Sequence, residues 1–271
     1  MTRPIALVTG ASSGIGLELA TLLARDGHDL VFVARSRERL EDIARGLHEE
    51  YGASATVIAR DLADPDSPRA VAQEVEARGL LVEVLVNDAG LGLYGPFAET
   101  PLEKELAMIQ VNLVALTELT KRLLPGMLQR RRGRILNVAS TAAFQPGPLM
   151  AVYYAAKAYV LSFTEALAEE TAGTGVTVTA LCPGPTKTEF QKQAGLEMSL
   201  PLLRSPLVLD VKTVALTGYR GMMRGKRVVI PGWANKLQVQ AVRFTPRRLV
   251  TALARRAQET RRPGRGHASA R

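Results

Sequence analysis

The 271-residue sequence holds one cysteine, Cys182, so it can close no internal disulfide and lacks the companion thiols of a zinc site. No run comes near the ~18 apolar residues that a membrane-spanning helix requires. The opening MTRPIALVTG has no apolar stretch ending at a small-residue cleavage site, because its first apolar run leads straight into a glycine loop. These absences give the expectation of a cytoplasmic protein without a metal centre. Acidic residues are scarce in one region only. From Tyr219 onward stand 14 Lys or Arg against a single acid, Glu259, whereas the first 218 residues are net acidic. The overall charge of +9 belongs to the C-terminal fifth and gives no reason to assign nucleic acid as a partner. The remaining composition, 46% hydrophobic and 23% charged, is enough to bury a sizeable core.

Short β-branched runs alternate with longer helical patterns, the signature of βαβ units and a parallel sheet. The pattern predicts strands at Ile5–Thr9, Leu30–Ala34, Thr56–Ala59, Val84–Asn87, Arg134–Val138, Val176–Leu181 and Val228–Ile230. It predicts helices at Gly14–Arg25, Ser36–Tyr51, Ser67–Ala77, Leu102–Leu123 and Val152–Thr171. Four of the strands are nearly continuous apolar runs, as expected where helices cover both faces of a sheet. The expected fold class is α/β, a Rossmann-type doubly wound and mostly parallel seven-stranded sheet. Residues 1–232 read as a single domain, 233–258 as basic amphipathic helices, and 259–271 as a disordered tail rich in Arg, Gly and Pro.

Between the first strand and first helix lies Thr9-Gly10-Ala11-Ser12-Ser13-Gly14-Ile15-Gly16. Glycines there permit a tight turn and close approach of the backbone to a pyrophosphate, and the helix N-terminus supplies free N–H groups. A glycine triplet alone is weak; its place at a strand-to-helix turn makes dinucleotide binding the preferred reading over a structural turn. An acid at the end of the second strand would bind the ribose hydroxyl of NAD(H). That acid is missing. The strand ends Ala34-Arg35-Ser36-Arg37, with Arg39 one turn on, and guanidinium forks match a phosphate. NADP(H) is therefore expected over NAD(H), against the plainer reading of a solvated basic patch.

Tyr153 and Lys157 share one face of a predicted helix, and an ammonium beside a phenol favours the phenolate. Tyr154 shares that face as well, so spacing alone does not choose between the two tyrosines. Ser140 follows the fifth strand, where side chains of a parallel sheet meet ligands, and its hydroxyl could polarise a carbonyl. A lone serine at that place is more often a cap.

These pieces occur in a characteristic order: TGASSGIG at Thr9–Gly16, NDAG at Asn87–Gly90, Ser140 with YxxxK at Tyr153–Lys157, and PG at Pro183–Gly184. In this the chain resembles the short-chain dehydrogenase/reductase family over about residues 3–190, and more loosely to 232. The resemblance implies hydride exchange between NADP(H) and a carbonyl or alcohol. It implies Tyr153 as general acid, Lys157 on the nicotinamide ribose, Ser140 on the carbonyl oxygen and Asn112 holding a water that links the lysine to solvent. Without it, Asn112 reads as a mid-helix residue pointing outward. The cofactor set it implies is Gly10, Ser12, Ser13, Gly14, Ile15, Gly16, Arg35, Ser36, Asp61, Leu62, Asn87, Ala89, Gly90, Tyr153, Lys157, Pro183, Gly184, Thr186 and Thr188. One position departs from the family pattern: Asp88 stands where a second asparagine is usual, losing amide donors and gaining a possible charge.

The family places a mobile substrate lid near 189–209, where Leu196, Met198, Leu200, Leu202 and Leu203 imply a hydrophobic substrate. A 3-oxoacyl thioester is the alternative substrate. A non-catalytic NADP-binding sensor or scaffold is the alternative from another class. Trp233, Leu237, Ala241 and Phe244 fall at helical spacing, and beyond Pro246 comes a second helix with Leu249, Val250 and Leu253 opposite arginines. Such a pair either packs on the domain or another subunit, or lies in a membrane surface as a peripheral anchor. The resemblance further implies a homodimer or homotetramer built on the helices at Leu102–Leu123 and Val152–Thr171.

Overall fold

A computed structural model of the chain describes residues 3–195 and 208–259. The strands are β1 (Ile5–Thr9), β2 (Asp29–Ala34), β3 (Ala55–Ala59), β4 (Val82–Asn87), β5 (Gly133–Val138), β6 (Val176–Leu181) and β7 (Val228–Val229). They form one sheet in the order β3-β2-β1-β4-β5-β6-β7, and every neighbouring pair is parallel. This is the Rossmann-type doubly wound sheet expected from the alternating pattern.

Side chains of a strand alternate between faces, and the cores follow that period. Ala6 and Val8 enter one core with Leu19 and Leu23 of α1 (Gly14–Arg25), Leu40 of α2 (Arg37–Tyr51) and the helix Val211–Met223. Leu7 enters the other with Val71 of α3 (Ser67–Ala77), Leu119 of α5 (Leu116–Gln129) and Ala168 of α6 (Ala151–Glu170). Both faces are thus covered, which explains the unbroken apolar strands.

The helix expected over Leu102–Leu123 is longer and less regular. It runs as α4 (Leu102–Ile109), a π-helical stretch at Gln110–Ala115, then α5 to Gln129. Pro125, beyond the expected end at Leu123, lies inside α5. Its missing N–H would have paired with Lys121; both residues are exposed, so water can take that carbonyl. Met127, fully buried, anchors the extra turn.

After α6 come the short α7 (Phe190–Gln193), α8 (Val211–Met223), α9 (Trp233–Phe244) and α10 (Arg247–Gln258). The α9 stripe of Trp233, Leu237, Ala241 and Phe244 faces outward; Asn235 and Val239 are the buried residues. The inward place goes to Asn235 because its carboxamide fits against Gly184 and donates to the Pro231 carbonyl at 2.9 Å. Likewise α10 buries Val250, Ala254 and Gln258 and leaves Leu249 and Leu253 exposed. The lid leucines, with Met198, and the tail beyond Glu259 lie outside the described residues.

Candidate active site

Because β1 has β2 on one side and β4 on the other, the chain leaves its C-terminal end in opposite directions and opens a crevice there. A cavity of about 460 Å³ fills it. Gly10 has φ +72°, and a Cβ on it would lie 2.9 Å from the Ala89 nitrogen, so only glycine lets the turns after β1 and β4 meet. Ser13 precedes α1 without a side-chain cap bond, and the first turn of α1 carries no acid. Apart from the Gly16 N–H, which Asp88 takes, the N–H groups of this first turn face an anion without a competing acid on the helix, the arrangement a pyrophosphate requires.

Of the residues singled out from sequence, Gly10, Ser12, Ser13, Gly14 and Ile15 line the cavity, as do Arg35, Ser36, Asp61 and Leu62. So do Ala89, Gly90, Ser140, Tyr153 and Lys157, and on the far side Pro183, Gly184, Thr186 and Thr188. Three sit behind the wall. Gly16 packs inward: a Cβ on it would meet Asp88 Oδ2 at 2.5 Å and the Gly10 carbonyl at 2.6 Å. Asn87 is buried and donates to Asn137 at 2.8 Å and Thr120 at 3.1 Å, tying β4 to β5 and α5. Asn112 does not point outward. It lies on the buried face of this helix with Met108 and Leu119, where it accepts from Leu91 N–H at 2.8 Å and donates to Leu91 C=O at 2.9 Å. Both Asn112 Oδ1 and Lys157 Nζ lie within 3.6 Å of the place a Cβ on Gly90 would occupy, so the asparagine is a close neighbour of the lysine.

The geometry separates the two tyrosines. The Tyr153 hydroxyl is hydrogen-bonded to Ser140, and Lys157 Nζ stands 5.8 Å from its ring centre. The Tyr154 hydroxyl is engaged instead by Gln258 and Gln145. Desolvation pushes the Tyr153 phenol above the usual tyrosine range, and the Ser140 bond only partly opposes this. Spacing suggested a lysine-lowered phenol; Lys157 Nζ does stand near the ring, while burial of the phenol acts in the opposite direction. Lys157 donates to the Val138 carbonyl at 2.8 Å, and burial lowers its ammonium to about 8, against the pull of Asp88 and Cys182. Asp88 is pushed up to about 7 by burial, with Lys157 and the Gly16 N–H pulling down. Ser140 caps the turn after β5 by accepting from Ala142 N–H at 3.1 Å, while its own contact to the Pro183 carbonyl is a long 3.4 Å.

At the other end, three guanidiniums (Arg35, Arg39 and Arg60) border the cavity. Arg39 pairs with Glu189 at 3.5 Å. Arg60 was missed in sequence, although an arginine directly after β3 had the same positional logic as Arg35 after β2. Gln258 carried no such signal, since only the fold brings α10 to this cavity. The acid that NAD(H) would need after β2 is absent, and the residues present fit a dinucleotide with an added phosphate. Among the described residues, no cluster of His, Cys, Asp or Glu could hold a metal.

The family model for short chain dehydrogenases matches residues 4–198. A very-long-chain 3-oxoacyl-CoA reductase from Anas platyrhynchos is 33% identical over 217 residues, 78% of this chain and 69% of that protein. A Streptomyces violaceoruber protein named as ketoacyl reductase 1 of granaticin polyketide synthase is 43% identical over 195 residues, 70% of this chain and 71% of that protein. Among solved structures, a short-chain dehydrogenase from Sphingobium yanoikuyae in complex with NADPH superposes with a TM-score of 0.80 at 33% identity, covering 89% of this chain and 92% of that one. A 7beta-hydroxysteroid dehydrogenase gives 0.82 at 28% identity, covering 93% and 96%. With its parallel sheet, its crevice at the switch point and a family match over most of its length, the chain belongs to the short-chain dehydrogenase family of oxidoreductases.

Proposed function

We propose that residues 1–232 form the catalytic domain of an NADP(H)-dependent oxidoreductase that interconverts a carbonyl and an alcohol on a lipophilic substrate. The observation that carries this is the hydrogen bond between Ser140 and Tyr153 with Lys157 alongside, on the wall of one cavity that also reaches Arg35 and Arg60. When bound, NADPH supplies the hydride. Ser140, whose bond to Pro183 is long enough to exchange, donates to the substrate oxygen and fixes its place. Tyr153 gives its proton to that oxygen as negative charge develops there. Lys157, anchored on the Val138 carbonyl, presents an ammonium to the ribose side and to the phenol. Asn112 holds the Leu91 backbone and so the wall beside that ammonium. A sensor that never turns over has no chemical need for all four.

A 3-oxoacyl thioester is the second reading for the substrate, favoured by the names of the Anas and Streptomyces relatives. The protein is a cytoplasmic homo-oligomer built on α4–α5 and α6, where Leu106, Val114 and Tyr159 are exposed. It rests on anionic lipid through α9 and α10. There Trp233 and Phe244, 79% and 88% exposed, continue into Leu249 and Leu253 among Lys236, Arg243, Arg247 and Arg248. Among the described residues no helix is long and apolar enough to cross a membrane. Following NADPH oxidation against a panel of lipophilic ketones, aldehydes and 3-oxoacyl thioesters, with NADH as control, tests the reaction. Turnover with NADPH is expected. No turnover with any class, or equal use of NADH, would overturn the respective part.

A further inference from the structure

Gln258 is the last residue of α10 and is 2% exposed, and its hydrogen-bond partners lie far from it in sequence. Two tyrosines hold it. The Tyr94 hydroxyl donates to its main-chain carbonyl at 2.6 Å, and its side-chain amide donates to the Tyr154 hydroxyl. The carboxamide borders the same cavity as Ser140 and Tyr153. Its oxygen, Oε1, is buried without a hydrogen-bond partner. A buried acceptor left without a donor is costly and uncommon. The Tyr154 hydroxyl is also engaged by Gln145, and with its proton turned there it accepts from Gln258 Nε2 and leaves Oε1 without a donor. Tyr154 stands edge-on to Tyr153 with ring centres 6.0 Å apart, so the unpaired oxygen belongs to the ground next to the reacting group.

The geometry points to Gln258 as a substrate-binding residue whose carboxamide oxygen accepts from an N–H group of the substrate, most simply the amide in the arm of an acyl thioester. This rests on the reductase reading above and selects within it. Plain lipophilic ketones have no donor to offer, whereas the thioester arm carries one a few bonds from the sulfur. The donor would satisfy Oε1 and hold the acyl group against Ser140 and Tyr153. The inference also gives α10 a task in recognition, since no other described part of the C-terminal region from Arg247 borders the cavity.

The test compares S-(3-oxobutanoyl)-N-acetylcysteamine, which has the amide, with S-ethyl 3-oxobutanethioate, which lacks it. Both are titrated calorimetrically into the full chain saturated with NADP+. The wild type should prefer the amide-bearing thioester by about threefold to tenfold, the worth of one net hydrogen bond. Gln258→Leu should abolish that preference, and NADP+ binding checks that the variant is folded. Tyr154→Phe, which only unpins the carboxamide, should reduce it and stands in if the first variant does not fold. No preference in the wild type, or an unchanged preference in the variants, would overturn the inference. NADPH oxidation with the S-ethyl thioester is read separately: turnover without preference sinks the role of Gln258 alone, and preference without turnover sinks the reduction alone.

Discussion

Tyr153 and Tyr154 are neighbours in the chain, yet one turns to Ser140 and the other to Gln258. A Tyr153→Phe variant should keep NADP+ affinity and lose turnover by about 10²–10⁴-fold, the usual contribution of a positioned acid. Tyr154→Phe should retain most of kcat. If instead Tyr153→Phe turns over normally, the acid has been misassigned. Asp88 supplies a second test at this scale. Its charge helps hold the Lys157 ammonium at about 8, and the Gly16 N–H and Thr9 hydroxyl, which bond its side chain and backbone, are neutral. In Asp88→Asn that support is gone, so Lys157 loses its proton at lower pH. The alkaline limb of kcat/KM should move to lower pH relative to wild type; an unmoved limb would show that the two groups do not communicate.

At the scale of elements, the turn after β1 and the head of α1 are built around absent side chains. Gly16→Ala would press a methyl group against the Gly10 carbonyl and Asp88. Backbone on one side leaves little room to yield, so a loss of about 1–3 kcal/mol is expected in denaturant unfolding. A loss near zero would mean the loop relaxes freely. The sequence made this loop, β1, α1 and the Ser140–Tyr153–Lys157 order readable, because local glycine chemistry and strand-end position carry the information. The inward place of Asn112 was overlooked although spacing carries it: Met108, Asn112, Ala115 and Leu119 share one buried helical face, and only its polar side chain argued for solvent. The outward stripe of α9 was hidden for a different reason. Spacing shows that apolar residues share a face, and only the partner surface, here Gly184 against Asn235, decides which face is buried.

For the whole molecule, the doubly wound sheet was legible from alternation alone, since seven parallel strands with covered faces leave few other arrangements. The reach of the chain's end back into the cavity was not, because nothing local encodes a contact between Gln258 and Tyr154. The C-terminal surface gives the prediction that belongs here. The full chain should sediment with vesicles of mixed phosphatidylserine and phosphatidylcholine, and release at high salt where Debye screening shortens the attraction. A full-length Trp233→Ser, Leu237→Ser, Phe244→Ser variant should remain largely in solution; equal sedimentation of both would end the membrane assignment.

Helix α10 carries Gln258 on its cavity side and Leu249 and Leu253 on its outer side. A helix with its side chains is about 10–12 Å across. If the outer side rests on lipid, that width of protein separates substrate dissolved in the bilayer from the cavity wall at Gln258. Turnover would then follow the substrate's concentration within the membrane, and a poor aqueous solubility would cease to limit the rate.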